Sequence, residues 1–294
     1  MNVPHAPLSL YAFAEASTAF DRRHPHWSAV LGRLWQTINI AFTRRQTMSG
    51  SIDKFVYFYG NLVAEDFMEL FLMAVNGYGY GAMKLLRSMY EHTIVLKYLH
   101  EHPEEIDAFL DFDRVQQRKL MYQVFDIFGR DVLSLEAIAA TESRFEEVKE
   151  RFTIKCCGVK NCTCTHTRIN HTWSKLDFVA MAKHTGEIGK MLVNAYHVPL
   201  RHAHPTVRTM MERLEMHDGH LGFSREFQPK EADDALMTAH NCILVALQVQ
   251  DEKFNIPGLK SAIENCVRDW ALIWSPQSLT ELVTCTPLSE RIEV

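Results

Sequence analysis

The 294-residue chain contains no long uninterrupted run of apolar residues. The most apolar stretch, residues 67–75, contains or adjoins three acidic residues and is far shorter than the roughly 20 apolar residues that a bilayer span needs. The first residues, MNVPHAPLSLYAF, lack the basic n-region and the apolar h-region of a secretory signal peptide. We therefore expect a cytoplasmic protein with no membrane-spanning segment and no signal peptide.

The chain also lacks a strong charge of one sign and an even set of cysteines. Its formal net charge is -5 with histidine neutral, so attraction to nucleic acid would need a local basic patch. Its seven cysteines are an odd number, which in a cytoplasmic protein argues against a disulfide framework. Hydrophobic residues make up 47% and charged residues 23%, and these fractions predict an ordinary globular protein.

Several catalytic motifs are absent as well. The sequence has no P-loop, no G-x-G-x-x-G and no G-x-S-x-G, so it carries no nucleotide-binding or hydrolase signature of these kinds. No E-x-x-H pair occurs on the predicted helices, which disfavours a ferritin-like di-iron centre. No stretch alternates apolar and polar residues between turns, so no strand is predicted.

Helical periodicity dominates the chain, because apolar residues recur at i, i+3, i+4 and i+7. Helices are predicted over residues 27–38, 51–75, 81–99, 103–129, 133–152, 186–196, 205–216, 231–254 and 259–274, with a break at 76–81 and a stop near Pro199. The predicted fold class is all-α, a helical bundle with one Cys/His-rich inserted loop. We predict a single domain over residues 1–294, with C-terminal helices in 230–275 and the insertion in 153–173.

One predicted helix, GAMKLLRSMYEHTIVLKYL, carries Arg87, Glu91 and His92 in an otherwise apolar stretch. Arg87 and Glu91 are four residues apart and share a helix face, so they pair readily. They are either a buried structural ion pair, completed by Asp111 or Asp113, or part of a polar pocket in which Arg87 binds a phosphate or carboxylate. Asp111 and Asp113 are two residues apart and point to different faces, so at most one of them joins Arg87.

A second polar group lies in YHVPLRHAHP, whose ionisable residues are Tyr196, His197, Arg201, His202 and His204. Histidine exchanges protons near neutral pH without a large pKa shift. We therefore take His204 as the candidate catalytic base and Tyr196 as the residue that orients it or a ligand. The alternative is a structural histidine at a helix start. A site that joined His204 to Arg87 would suit metal-independent phosphodiester cleavage.

Soft metal ligands are concentrated in one segment, CCGVKNCTCTHTRINH. Its ligand-type residues are Cys156, Cys157, Cys162, Cys164, His166 and His171. Structural zinc sites take four cysteine or histidine ligands in a tetrahedron. We predict one structural zinc ion in this segment, held by Cys157, Cys162 and Cys164 with His166 or His171. A loop of free, oxidisable thiols is the alternative.

The order of LLRSMYEHTIVLKYL, AFLDFDRVQQRKLMY, Trp173 and YHVPLRHAHPTV resembles a bacterial family catalogued only as a domain of unknown function. The family pattern is R-S-x-x-E, F-L-D-F-D, a tryptophan and Y-(R/H)-x-x-S-x-x-x-H-P, and the resemblance covers residues 61–207. It implies six polar site residues, namely Arg87, Glu91, Asp111, Asp113, Tyr196 and His204. This chain departs from the pattern at Leu200 and Arg201, where the family tends to have serine. The resemblance implies a site and no activity.

The spacing from Arg87 to His92 also resembles the signature of HEPN-type ribonucleases, an arginine followed four to six residues later by a histidine. This resemblance implies that His92 attacks or activates the ribose 2′-hydroxyl while Arg87 stabilises the phosphate. It also implies a homodimer and a toxin or phage-defence setting. Residues five apart on one straight helix lie about 140° from each other, so Arg87 and His92 would need a bent helix or a second subunit to meet.

These patterns together favour a metal-independent endoribonuclease with RNA as its partner. The candidate catalytic residues are Arg87, Glu91, His204, Tyr196, Asp111 and His92. The alternative is a non-enzymatic helical module that binds a ligand or a protein and contains structural zinc. A basic groove beside His204 would favour the nuclease, and a closed, apolar-walled pocket would favour the binding module.

Overall fold

The computed structural model describes residues 15–43, 48–155, 165–204, 206–217, 219–224 and 226–274. Helices make up 76% of the structure and the strands form two short pairs, so the predicted all-α class is confirmed. The chain divides into two compact units, the first from Met1–His100 and Ala182–Val294 and the second from Glu101–Met181. The single domain stays a prediction, because compactness alone does not establish whether two units fold separately.

Four helices open the first unit: α1 (Ala16–Arg23), α2 (Trp27–Phe42), α3 (Ser51–Val75) and α4 (Gly79–Glu101). After a 3₁₀ turn at Pro103–Glu105 come α5 (Ile106–Phe128), α6 (Leu135–Glu146), α7 (Lys149–Phe152), β1 (Thr153–Lys155), β2 (Thr167–Ile169) and α8 (Phe178–Lys183). The chain then forms α9 (Val198–Ala203), α10 (Val207–Met211), β3 (Leu214–His217), β4 (His220–Phe223), α11 (Pro229–Phe254) and α12 (Leu259–Ile273). No helix in the described ranges is both long enough and apolar enough to cross a bilayer.

Helix α11 forms the centre of the first unit, because it is buried along most of its length and packs against α2, α3 and α12. Its close approach to α3 requires a glycine at position 60, since a Cβ there would collide with Gln250 and Phe42. The side-chain amide of Gln250 donates to the carbonyl oxygen of Val56 at 2.6 Å. This bond satisfies a buried amide donor and joins the two helices.

The second unit has its own small apolar core, where α5 packs against α6 and α7. The core residues are Phe112, Val115, Phe145, Val148 and Phe152, with Ala108, Ile169 and Trp173 packed against them. Ser134 caps α6, because its side chain accepts a hydrogen bond from the backbone N–H of Ala137 at 3.2 Å. Strands β1 and β2 pair antiparallel, with Ile154 opposite Arg168.

The long helices agree with the periodicity, and α3 has the predicted bounds. Helix α4 begins at Gly79, so the break after α3 spans only residues 76–78 and the prediction of a break to residue 81 is wrong. The prediction that no strand forms is also wrong, because residues 214–217 pair with residues 220–223. The first of these strands begins inside the segment 205–216, where a helix is predicted. Gly219, with φ of +77°, allows the tight turn between these strands.

Candidate functional site

Arg87, on α4, is at the centre of the candidate site. Its Nε donates to Oε1 of Glu91 at 2.9 Å, as the spacing of four residues allows. Its Nη2 donates to the hydroxyl oxygen of Tyr196 at 3.4 Å, and its Cζ lies 4.7 Å from the centroid of that ring. Its Nη1 lies 3.3 Å from Nε2 of His204. The structure therefore brings four of the sequence-predicted residues into contact around one guanidinium.

This group is accessible to water. The side chain of Arg87 is 24% exposed and that of Glu91 is 39% exposed, and His204 is an exposed residue. In another charged pair of the first unit, between Arg23 and Asp233, the carboxylate is only 5% exposed. Arg87 and Glu91 are therefore a hydrated pair at the surface of the helical core.

The contact between Arg87 and His204 uses the Nε2 atom of the imidazole. Guanidinium nitrogens only donate hydrogen bonds, so Nε2 of His204 must accept. A distance of 3.3 Å is at the long end for such a bond, so a better acceptor could displace the histidine from Arg87.

Arg87 retains donors for a ligand. A guanidinium has five N–H groups, and the three contacts above use one on Nε and one on each terminal nitrogen. Within the described ranges no acceptor is assigned to the two remaining N–H groups. Paired N–H donors of this kind bind two oxygens of a phosphate or a carboxylate.

The sequence of the segment that presents Tyr196 and His204 contains two prolines, Pro199 within it and Pro205 directly after it. Residues Val193–His197 form a π-helical turn that leads into α9, and Pro199 lies in the first turn of α9. Proline has no amide hydrogen, so Pro199 cannot donate to the carbonyl of Ala195 as a regular α-helix requires. The prediction that the helix stops near Pro199 is wrong. The π-helical turn gives way to α-helical winding just before Pro199, and the helix continues to Ala203. His204 ends α9 in an extended conformation (φ -112°, ψ 152°), which the following proline favours.

His92 has a different partner from the one that the HEPN-like spacing implies. Its Nδ1 lies 2.6 Å from Oδ2 of Asp66 on α3, and its ring packs edge-on against Tyr59 at 5.8 Å. Both side chains of the pair are mostly buried, at 27% and 15% exposure. Sequence reasoning missed Asp66, because 26 residues separate it from His92 and only the packing of α3 on α4 brings them together.

The two aspartates of the F-L-D-F-D motif belong to the second unit, where each has a partner. Asp111 accepts a hydrogen bond from Nη1 of Arg151 at 2.5 Å, and Asp113 accepts one from the Gln117 side chain at 2.6 Å. Asp111 therefore pairs with an arginine that sequence reasoning did not single out. A catalytic role for Asp111 stays a prediction.

The predicted zinc ligands Cys156, Cys157, Cys162 and Cys164 lie outside the described residues. His166 and His171 are described and both are exposed. Within the described ranges, no group of three or more histidine, cysteine, aspartate or glutamate residues could hold a metal ion. Zinc binding therefore stays a prediction that rests on the sequence.

The surroundings of the site are locally basic although the chain as a whole is acidic. Burial lowers the pKa of His202, and three nearby cations lower it further against the opposing effect of Glu212. These cations are Arg213, Lys84 and Arg201. Lys84 precedes Arg87 by three residues on α4, so the helix face that carries Arg87 also carries a second cation. Sequence reasoning missed Lys84 and Arg213, although the spacing to Lys84 was a usable signal.

Comparisons with known proteins give a family and no activity. A profile described as "Family of unknown function (DUF5677)" matches residues 63–221, which is more than half of the chain. No curated protein and no solved structure matches the chain. The matched region includes α4, the π-helical turn and α9, and therefore every member of the Arg87 group.

Proposed function

Because the chain belongs to the family of unknown function DUF5677, whose description names no activity, we propose from the geometry that it is a metal-independent, HEPN-like endoribonuclease. The observation that carries this proposal is the contact between Arg87 and His204 at an exposed position. Arg87 is a permanent cation suited to phosphate, and an imidazole such as that of His204 is suited to take a proton from a hydroxyl group. In the proposed metal-independent cleavage, one group binds the phosphate and the other takes the proton of the 2′-hydroxyl.

In the proposed reaction Arg87 releases His204 and binds the scissile phosphate, which leaves the lone pair of Nε2 available. Nε2 takes the proton of the neighbouring ribose 2′-hydroxyl, and the 2′-oxygen forms a bond to phosphorus. The bond from phosphorus to the 5′-oxygen breaks, and that oxygen takes a proton from water. The hydroxide that remains takes the proton back from Nε2, which restores the imidazole. The products are a 2′,3′-cyclic phosphate and a 5′-hydroxyl end. Arg87 stabilises the charge that develops on the phosphoryl oxygens.

Glu91 and Tyr196 are positioning residues in this scheme. Glu91 holds the Nε edge of the guanidinium, and Tyr196 supports its face and one terminal nitrogen. Together they restrict Arg87 to the orientation in which its remaining donors face a ligand. By analogy with HEPN-type ribonucleases alone, the proposal places the protein in a toxin or phage-defence setting.

The test is cleavage of a labelled single-stranded RNA oligonucleotide in the presence of EDTA. We expect His204→Ala and Arg87→Ala to lower the rate by at least about 100-fold, the range in which a general base or a charge-stabilising group contributes. The matched control is His184→Ala, which removes an exposed histidine of the same unit that has no described contact with Arg87. A substrate with 2′-deoxyribose at the cleaved position should be inert.

Two results would overturn the proposal: no cleavage by the parent protein, or cleavage by His204→Ala at the parent rate. A further variant, His92→Ala, separates the two histidines. We expect it to retain activity, because His92 pairs with Asp66 and has no described contact with Arg87. A loss of cleavage confined to His92→Ala would assign the base to the HEPN-like spacing and remove His204 from that role.

The second candidate function is a non-enzymatic ligand-binding module. It is favoured by an open cavity of about 380 Å³ beside Lys84, which is within the size range of small-ligand sites. Binding of an anion at the Arg87 surface without cleavage of any RNA would support this alternative.

A further inference from the structure

The cavity beside Lys84 lies on the same face of α4 as Arg87, and the proposed cleavage does not use it. It is formed by α4, the β3–β4 hairpin and the segment that precedes α11. The residues that matter for its chemistry are Tyr80, Lys84, Arg213 and Phe223, and Gly81 lies at its wall. All of them belong to the first unit, so the cavity is a property of that unit alone.

Two cations border this cavity with unused donors. Lys84 is exposed, and no carboxylate pairs with it within the described ranges. The Nε of Arg213 is buried and has no acceptor among the described residues. A buried donor without a partner costs about 1–3 kcal/mol. An acceptor supplied by a ligand would remove that cost, so the two side chains favour an anion.

The nearby acids do not cancel this charge. Glu212 is paired with Arg208, whose Nε donates to it at 2.8 Å. Glu231 acts electrostatically on Tyr80, and burial raises the pKa of its carboxyl group, but Glu231 does not line the cavity. The cavity therefore keeps a positive balance from Lys84 and Arg213.

The walls of the cavity are aromatic. The guanidinium carbon of Arg213 lies 4.4 Å from the ring centroid of Tyr80 and 5.7 Å from that of Phe223. Tyr80 is buried, whereas the Phe223 side chain is 53% exposed at the rim. An exposed aromatic ring beside two cations is the combination that binds single-stranded nucleic acid, where bases stack on the rings and cations hold the backbone.

We propose that this cavity is a subsite for the nucleotide next to the scissile phosphate, with Lys84 and Arg213 binding its phosphate and Phe223 stacking on its base. The register supports this assignment, because residues three apart on a helix have Cβ atoms about 5–6 Å from each other. An anion at Lys84 would therefore lie beside the phosphate at Arg87. That the subsite binds a nucleotide of an RNA substrate rests on the proposed function. That the cavity binds a nucleoside monophosphate does not rest on it.

The test compares three probes on the full chain by titration calorimetry: adenosine 5′-monophosphate, ribose 5-phosphate and adenosine. We expect the nucleotide to bind at least about 10-fold more tightly than either fragment, because only the nucleotide engages both the cations and the ring. Phe223→Ala should weaken binding of the nucleotide by about 5-fold to 100-fold, as expected for one stacked base, and leave ribose 5-phosphate unchanged. Lys84→Ala should weaken both phosphate probes.

Gly81 offers a matched pair of variants. A Cβ at this position would lie 3.5 Å from Sδ of Met73 and 3.6 Å from Cβ of Tyr78, which is ordinary contact. Gly81→Ala should therefore fold and bind the nucleotide as the parent does. Gly81→Leu places a larger side chain at the wall of the cavity and should abolish binding, and the folding of the alanine variant controls for loss of the glycine.

The subsite would be refuted if adenosine 5′-monophosphate bound no more tightly than ribose 5-phosphate binds. It would also be refuted if Gly81→Leu bound the nucleotide as tightly as the parent does. The RNA cleavage assay separates this failure from failure of the nuclease. Cleavage that is unchanged by Gly81→Leu and Phe223→Ala would refute the subsite and leave the nuclease standing. Nucleotide binding without any RNA cleavage would refute the nuclease and assign the cavity to a free nucleotide.

Discussion

The hydrated state of the Arg87 pair predicts that replacing Arg87 affects activity far more than stability. In Arg87→Ala, the abandoned carboxylate of Glu91 is 39% exposed and water can replace the lost donor. The comparison variant is Arg23→Ala. Arg23 donates two hydrogen bonds of 3.0 Å to Asp233, whose carboxylate is 5% exposed. The two variants remove arginines of similar exposure, 24% and 31%, and differ in how accessible the abandoned carboxylate is.

The expected magnitudes differ severalfold. An i,i+4 pair at the surface contributes about 0.3–0.5 kcal/mol, and an exposed cation–π contact such as that with Tyr196 adds about 0.5–1 kcal/mol. Arg87→Ala should therefore lower the free energy of unfolding by about 1 kcal/mol. Breaking a buried pair costs about 3–5 kcal/mol, and Arg23→Ala should lie near 3 kcal/mol because His24 remains 3.1 Å from the Asp233 carboxylate.

Thermal unfolding followed by circular dichroism measures the contrast. At about 2–4 °C per kcal/mol, the melting temperature should fall by about 2–4 °C for Arg87→Ala and about 6–12 °C for Arg23→Ala. Glu91→Gln, which keeps the shape of the side chain and removes its charge, should stay near the parent. If Arg87→Ala unfolded as early as Arg23→Ala, the Arg87 group would be part of the scaffold, and the active-site proposal would fail with it.

Three further predictions concern other parts of the chain. Burial lowers the pKa of His240 to about 4, so as the pH falls this imidazole takes up a proton in the unfolded chain before it does in the folded chain. Between pH 7 and pH 5 this difference should reduce the free energy of unfolding by about 2 kcal/mol. Urea unfolding of His240→Asn should show no such reduction in the free energy of unfolding. If the variant lost as much as the parent, another group would be responsible. The segment of residues 156–171 should bind about one zinc ion in protein purified without a metal-affinity tag. Elemental analysis that finds less than about a tenth of an equivalent of zinc per chain would refute the site. Removing the metal should loosen the insertion and leave the helices folded. Light scattering at micromolar concentrations should give twice the 33.9 kDa chain mass, as expected for a homodimer, and a monomer mass would exclude it.

The helices could be predicted from the sequence because their signals are local. The apolar pattern of residues 51–75 and the four-residue spacing of Arg87 and Glu91 are both set by the geometry of a single helix. Partners that depend on packing could not be predicted this way. The carboxylate beside His92 comes from the neighbouring helix α3, and the imidazole beside Arg87 comes from more than a hundred residues further along the chain.

The β3–β4 hairpin was hidden for a different reason. Each strand has only four residues, which is too short for an alternating pattern to emerge against the helical signal around it. Missing the hairpin also concealed Arg213 and Phe223, which only this turn brings to the cavity beside Lys84. The sequence therefore indicated Arg87 and His204 and not the surface beside them.

The π-helical turn at Val193–His197 implies that the length of this segment matters as much as its composition. A π-helical turn holds about one residue more than an α-helical turn, at nearly the same rise. Deleting a single residue from it would restore regular winding and rotate the flanking residues by about 100° relative to one another. Tyr196 would then lose its place over the Arg87 guanidinium, although every side chain of the site would still be present. Within this turn, a one-residue deletion should therefore be more damaging than most substitutions.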